Sequence, residues 1–312
     1  MKILTKGHGK LLFLFVTLSL IFTGNAFAKN IIFSFDPKDG TTFTQKLSTT
    51  REKQLGPAGT QIDETLSMTK IICKKTKEGW DINAQPINAI MKRNGKKVNN
   101  PIVSLLSKVK ITYKLDHEGV LKDIVGYEKV WEALSSQFPP EVAQKLAPML
   151  NSETLKQREI AEWNGRIGDY LSKEISIGDV WEYEVPFTLP SGVDLNYKVK
   201  THFKEQIQCG KSKCIFIEQI YDSAAEGMAD LMNDVVKSVS EGDEEKKKIM
   251  PKVSQSGSSI KGKVTRVIDP TTMNIYKEEI ERTMQMEMDV PGHGRIPTKM
   301  IEKRSYEYEY ES

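Results

Sequence analysis

The sequence predicts an α+β fold: a mainly antiparallel curved sheet or incomplete barrel with helices inserted between its strands. Three observations lead there. Apolar and polar residues alternate along most of residues 31–310, the mark of half-buried strands. The alternating runs are joined by short turns, which favours antiparallel neighbours. Two stretches, near 127–171 and 223–239, switch to helical periodicity. A two-sheet β-sandwich with helical insertions is the alternative, because its strands also bury one face.

Residues 1–28 come before any of these elements and read as a signal peptide. Lys2, Lys6 and Lys10 precede an apolar run from Leu11 to Phe22 broken only by Thr17 and Ser19, and Ala26-Phe27-Ala28 supplies a small-residue cleavage pattern with the cut after Ala28. The run is short for a membrane span, which takes roughly 20 apolar residues; an uncleaved anchor is the alternative. Lys29 stands where a lipid-anchored precursor needs a cysteine. A soluble periplasmic or secreted protein, not membrane-anchored after cleavage, is therefore expected. The three lysines account for the whole formal charge of +3, so the mature chain is balanced and no nucleic acid is expected as a partner.

Strands are predicted at Ile31–Phe35, Thr41–Gln54, Ile62–Lys75, Trp80–Met91 and Val109–Leu115. A helical segment follows over 126–172. Tyr127, Val130, Trp131, Leu134 and Phe138 share one helical face, Pro139-Pro140 stops it, and further helices are predicted over Val142–Leu150 and Glu153–Leu171, the last with Ser152 as N-cap. Next comes a hairpin. Trp181, Tyr183, Val185, Phe187 and Leu189 alternate with Glu182, Glu184 and Pro186, and after Pro190-Ser191-Gly192 the pattern resumes through Val193, Leu195, Tyr197 and Val199. Further strands are predicted at Phe203–Gln208, Ile215–Tyr221, Ile260–Ile268, Met273–Met288 and Lys299–Tyr310, with a helix over Ser223–Val239.

Residues 29–312 suffice for a single β-rich domain, and the order of elements suggests two duplicated halves, 29–125 and 173–312, joined by the helical segment. Gly40, Phe43 and Leu47 match Gly178, Trp181 and Val185 in spacing, and Ile111-Thr112-Tyr113-Lys114-Leu115-Asp116 resembles Val264-Thr265-Arg266-Val267-Ile268-Asp269.

Chemistry-bearing residues are sparse. Cys209 and Cys214 bracket the polar loop Gly210-Lys211-Ser212-Lys213 between two strands, so a structural disulfide is expected in an oxidising compartment. Cys73 reads as a buried thiol, with pairing between chains as the alternative. Met284, Met286 and Met288 alternate on one strand face near His293; soft ligands of this kind suit cuprous copper, but apolar alternation alone explains them, so no metal or cofactor is expected. No nucleophile elbow, zinc-ligand helix or phosphate-cradling glycine loop occurs, which argues against an enzyme.

The predicted helix Ser223–Val239 carries Ala224, Ala225, Met228, Leu231, Met232 and Val235 on its apolar face, adaptable residues able to repack around a hydrophobic ligand. Met228, Leu231, Met232 and Val235 are therefore the candidate ligand-binding residues, while permanent packing of this helix on the sheet is the alternative. Long antiparallel strands alternating with a few helices in an exported chain look like the periplasmic lipoprotein-carrier superfamily of which LolA is a member. Gly178-Asp179-Val180-Trp181 also resembles a turn-and-strand start of uncharacterised exported bacterial proteins. The carrier resemblance implies an incomplete barrel, closed by helices, that holds acyl chains. The expected function is binding of a hydrophobic ligand or lipidated partner in the cell envelope, the alternative being a protein–protein interaction or structural module.

Overall fold

A computed structural model describes residues 30–54, 56, 59–99, 108–138, 140, 143–144, 147, 151–164, 170–188, 194–224, 233, 252–254, 258–290 and 294–311. Its elements in chain order are β1 (Ile31–Ile32), β2 (Thr42–Gln54), β3 (Thr60–Lys75), β4 (Trp80–Arg93), β5 (Lys96–Val98), β6 (Ile111–Leu115), β7 (Leu121–Val125), α1 (Tyr127–Ser135) and α2 (Ser152–Trp163). There follow β8 (Glu174–Ile175), β9 (Val180–Thr188), β10 (Asp194–Cys209), β11 (Ser212–Ala224), β12 (Lys252–Val253), β13 (Ser259–Ile268), β14 (Ile275–Val290) and β15 (Gly294–Tyr310).

One antiparallel sheet of 13 strands carries the fold, in the order β7-β6-β4-β3-β2-β15-β14-β13-β11-β10-β9, with β5 and β12 beside β4 and β14. The sheet is open, β7 and β9 being its edges, and it is one sheet rather than the two of a sandwich. Both halves are meanders, and the last strand of the second, β15, pairs with the first of the first, β2, from Lys299↔Gln54 to Tyr310↔Phe43. Two-stranded β1–β8 crosses separately.

Two stretches of the described chain share local features. A two-residue strand is followed by a turn at Gly40 or Gly178, both with positive φ, and then by the long strands. Each meander then makes a hairpin turned at an aspartate. The Asp116 and Asp269 carboxylates accept the backbone N–H groups of Glu118 and Thr271, two residues on, and the register shifts at Lys114/Leu115 and Val267/Ile268. The stretches 111–116 and 264–269 each comprise the end of a strand, β6 or β13, and the turn aspartate after it.

The core lies on one face, here called inner. It forms two adjoining clusters, Phe43, Ile71, Cys73, Trp80, Ile82, Leu115, Leu121 and Ile124 in the first half and Phe33, Tyr170, Ile175, Phe203, Ile215, Ile217, Ile268, Met273 and Ile275 in the second. Phe35, Trp163 and Tyr308 pack against both. The outer face carries exposed ion pairs such as Lys46–Glu309, Lys261–Asp222 and Lys70–Glu311, which solvent screens so that each contributes little to stability.

Several boundaries differ from the sequence reading. The strand expected at Ile31–Phe35 stops at Ile32, and Phe33 makes only a bridge to Leu171. Phe203–Gln208 is no separate strand but the end of β10, bulged at Lys204 where the register passes from Phe203 to Glu205. Ser223 and Ala224, expected to open a helix, are strand residues paired with Ile260 and Ser259, because β13 offers a continuing ladder for their backbone groups. The helix expected to reach Leu171 ends at Trp163, and its N-cap is Asn151 rather than Ser152. The short strands β5, β7, β8 and β12 had no clear alternation to mark them.

Candidate functional site

The inner face of the first half holds a cavity of about 410 Å³, within the roughly 300–1,000 Å³ of typical ligand pockets. Alternation builds its floor: Phe43, Gln45 and Leu47 of β2, Thr69, Ile71 and Cys73 of β3, and Ile82 and Ala84 of β4 all project to the same side. Tyr306, Tyr308 and Tyr310 of β15 form one wall; Trp163 and Glu159 of α2 stand opposite. Trp163 stacks on Tyr113 with ring centroids 6.0 Å apart, and its indole N–H donates to the Gly119 carbonyl at 3.2 Å. Asn164, next along, accepts the Leu121 N–H at 2.9 Å and donates to the Leu121 carbonyl at 3.2 Å, tying the end of α2 to β7.

The polar groups of this cavity are held in fixed positions. The Tyr310 hydroxyl donates to the Ile275 carbonyl at 2.9 Å, and burial drives its ionisation far above the usual phenol range. Burial likewise pushes the Cys73 thiol up to about 11, so it stays protonated and unreactive at neutral pH. In the second half aromatic rings occupy the inner face: Phe203 lies 4.8 Å from Trp181 and 5.8 Å from Tyr170, centroid to centroid. Beside them Arg266 pairs with buried Glu278, and Gln219 accepts from Arg266 at 2.6 Å and donates to Thr201 at 3.0 Å.

Farther along the same strands the inner face becomes ionic. One transverse row joins directly paired positions: Arg93 of β4, Asp63 of β3, Arg51 of β2, Glu302 of β15 and Arg282 of β14. Arg93 Nε donates to Asp63 at 2.8 Å, Arg51 Nε donates to Glu302, and Arg304 Nη2 meets the other Glu302 oxygen at 2.7 Å. Burial alone would raise the Glu302 and Asp63 pKa values, but the cationic neighbours outweigh it and hold both below the usual carboxylate range. The row continues through Gly262 of β13 to Tyr221 of β11. Gly262 is required there, because a Cβ would lie 2.1 Å from the Tyr221 ring. Across that gap the Tyr221 hydroxyl accepts from Arg282 Nε at 3.0 Å.

The sequence-predicted sites fare unequally. Cys209 and Cys214 form the expected disulfide, Cα to Cα 5.8 Å. The turn between them is only Gly210-Lys211, since Ser212 and Lys213 already belong to β11, and the bridge joins diagonal neighbours. Cys73 is a buried free thiol. Met228, Leu231, Met232 and Val235 lie outside the described residues, as do His293, the signal segment and most of Val142–Leu150. Met284, Met286 and Met288 share the inner face beyond the ionic row, half-buried and paired with Met300, Thr298 and Ile296. Among the described residues no cluster of His, Cys, Asp or Glu is arranged to hold a metal, and no helix is long and apolar enough to cross a membrane.

No protein-family model and no curated protein matches the chain. Among solved structures it is similar to a Bacteroides fragilis protein described as exported with a YmcC-like fold (8% identity, TM-score 0.25, covering 86% of this chain and 97% of that one). It is also similar to a protein described as a lipoprotein from Parabacteroides distasonis (10% identity, TM-score 0.29, covering 88% and 98%). A third is DynF from the dynemicin biosynthesis pathway of Micromonospora chersina (7% identity, TM-score 0.20, covering 90% and 86%). At this level of superposition no property passes from those proteins to this one.

Proposed function

We propose that the chain is an exported envelope protein that holds a hydrophobic ligand, or the acyl part of a lipidated partner, between the inner face of the sheet and α2. The observation that carries this reading is the 410 Å³ cavity lined by Phe43, Ile71, Ile82, Ala84 and Trp163. Export is supported by the leader pattern of residues 1–28. The cavity lies under α2, so the reading does not depend on Met228, Leu231, Met232 and Val235. The likeness to lipoprotein carriers is part of this proposal.

Ala84 offers a direct test, because its small side chain faces the cavity from β4 between Ile71 and Ile111. Ala84→Leu is expected to weaken binding of a neutral monoacylglycerol by about tenfold or more, equivalent to roughly 1.4 kcal/mol, with the thermal midpoint little changed. Native mass spectrometry and displacement of a neutral fluorescent lipid probe read this out. A wild-type chain that takes up no lipid, or a variant that binds as well as wild type, would count against the proposal.

A further inference from the structure

We infer that the cavity's occupant is an amphiphile with an anionic head group, its apolar part beneath α2 and its head on the arginine row. This rests on the ligand-holding reading above and adds the chemistry of the head. Cavity and row lie on one face of the same strands. From Leu47, on the cavity wall, to Arg51, in the row, is four residues of β2, about 13 Å at the usual strand rise. Arg304 belongs to both, lining the cavity while it pairs with Glu302.

Charge decides the sign of the head. Among the described residues the row and its flanks place the cations Arg51, Lys53, Arg93, Arg282 and Arg304 around only two carboxylates, Asp63 and Glu302. The Glu159 carboxylate stands on the opposite cavity wall, on α2. Depth sorts the two signs. The Glu302 and Asp63 side chains are 5% and 9% exposed, whereas those of Arg51, Arg93 and Lys53 are 47%, 49% and 37% exposed. The carboxylates therefore anchor the row at the sheet, the cationic ends of Arg51, Arg93 and Lys53 face the open side, and Arg304 lies deeper, 26% exposed.

Donor geometry points the same way. A guanidinium has five N–H donors in a planar fork suited to carboxylate and phosphate oxygens. Arg51 and Arg93 each direct Nε at a buried carboxylate, leaving their terminal nitrogens without an acceptor among the described residues. Arg282 uses Nε on the neutral Tyr221 hydroxyl, and among the described residues no carboxylate is in ion-pair contact with it. An anionic head gains charge-assisted hydrogen bonds from these donors; a cationic head meets like charge.

The test uses the whole mature chain and three probes below their micelle concentrations: lysophosphatidylglycerol, lysophosphatidylcholine of the same acyl length, and inorganic phosphate. Calorimetry should show the anionic lysolipid binding at least about tenfold tighter than the zwitterionic one. That advantage should shrink as salt rises from about 0.05 to 0.5 M, as the Debye length contracts. Arg304→Gln with Arg282→Gln should erase the preference between the two lysolipids. Should the double variant fail to fold, the salt series on the unaltered chain decides. Equal affinity for the two lysolipids overturns the inference and leaves the cavity reading standing. Binding of neither lipid overturns both. Inorganic phosphate binding as tightly as the lysolipid places the anion site apart from the cavity and overturns the inference alone.

Discussion

Gly262 shows how one residue's lack of a side chain can organise a charged row. Its empty position lets the Tyr221 ring cross β13 and reach Arg282. Gly262→Ala is expected to destabilise the chain by about 1–3 kcal/mol, the usual cost of forcing atoms into an occupied site. In a Tyr221→Leu background the same change should cost much less, and urea unfolding of the four chains in this cycle measures the difference. An unchanged cost would mean that Tyr221 is not what fills the space. None of this is legible in the sequence. Arg51, Asp63, Arg93, Arg282 and Glu302 look like ordinary surface charges among many, and they form a row only because sheet register aligns residues up to some 250 positions apart.

At the scale of elements, local chemistry was readable and its end points were not. Asn151 and Ser152 are both good helix caps. The choice falls on Asn151, whose side chain accepts the Thr154 N–H at 2.8 Å. Asn151→Ala should therefore cost about 1 kcal/mol, and Asn151→Asp should nearly preserve stability, as chemical denaturation would show; a silent Asn151→Ala would shift the cap elsewhere. At the C-terminal end of this helix Asn164 bonds to Leu121 on β7, a partner 43 residues away. Prolines inside strands follow a tertiary rule as well. Pro86 lies beyond the point where β6 pairs with β4, Pro186 is on the edge strand β9, and Pro297 precedes the β2 pairing, which begins at Lys299. Each sits where one side of the ladder is open, so its missing N–H costs no bond there.

For the whole molecule, pH stability follows from its carboxylates. Asp63, Asp116, Glu218 and Glu302 have folded-state pKa values below their unfolded ones, Glu218 because Lys263 and Lys204 donate to it, and the other three because hydrogen bonds and cations overcome desolvation. Their stabilising contribution is complete above the unfolded values of roughly 3.9 for Asp and 4.3 for Glu, and it is lost as pH falls through the lower folded values. The urea midpoint should thus hold from about pH 7 to 5 and drop steeply below about 4. A midpoint that stays flat to pH 3 would show these pairs to be stability-neutral.

The strand-rich, antiparallel character, the one-sided burial and the disulfide could all be read from the chain before any fold was known. Period-two alternation and a short polar connection between two cysteines are local signals, and local signals survive without knowledge of neighbours. That the long strands join into one open sheet and not a sandwich emerges with the folded arrangement. The folded arrangement joins β15 to β2, leaves a cavity beneath α2, and assembles the arginine row beside it. Alternation says which face of a strand is apolar, but it is the same for every register and every neighbour, and a site built across seven strands exists only once the pairing order is set.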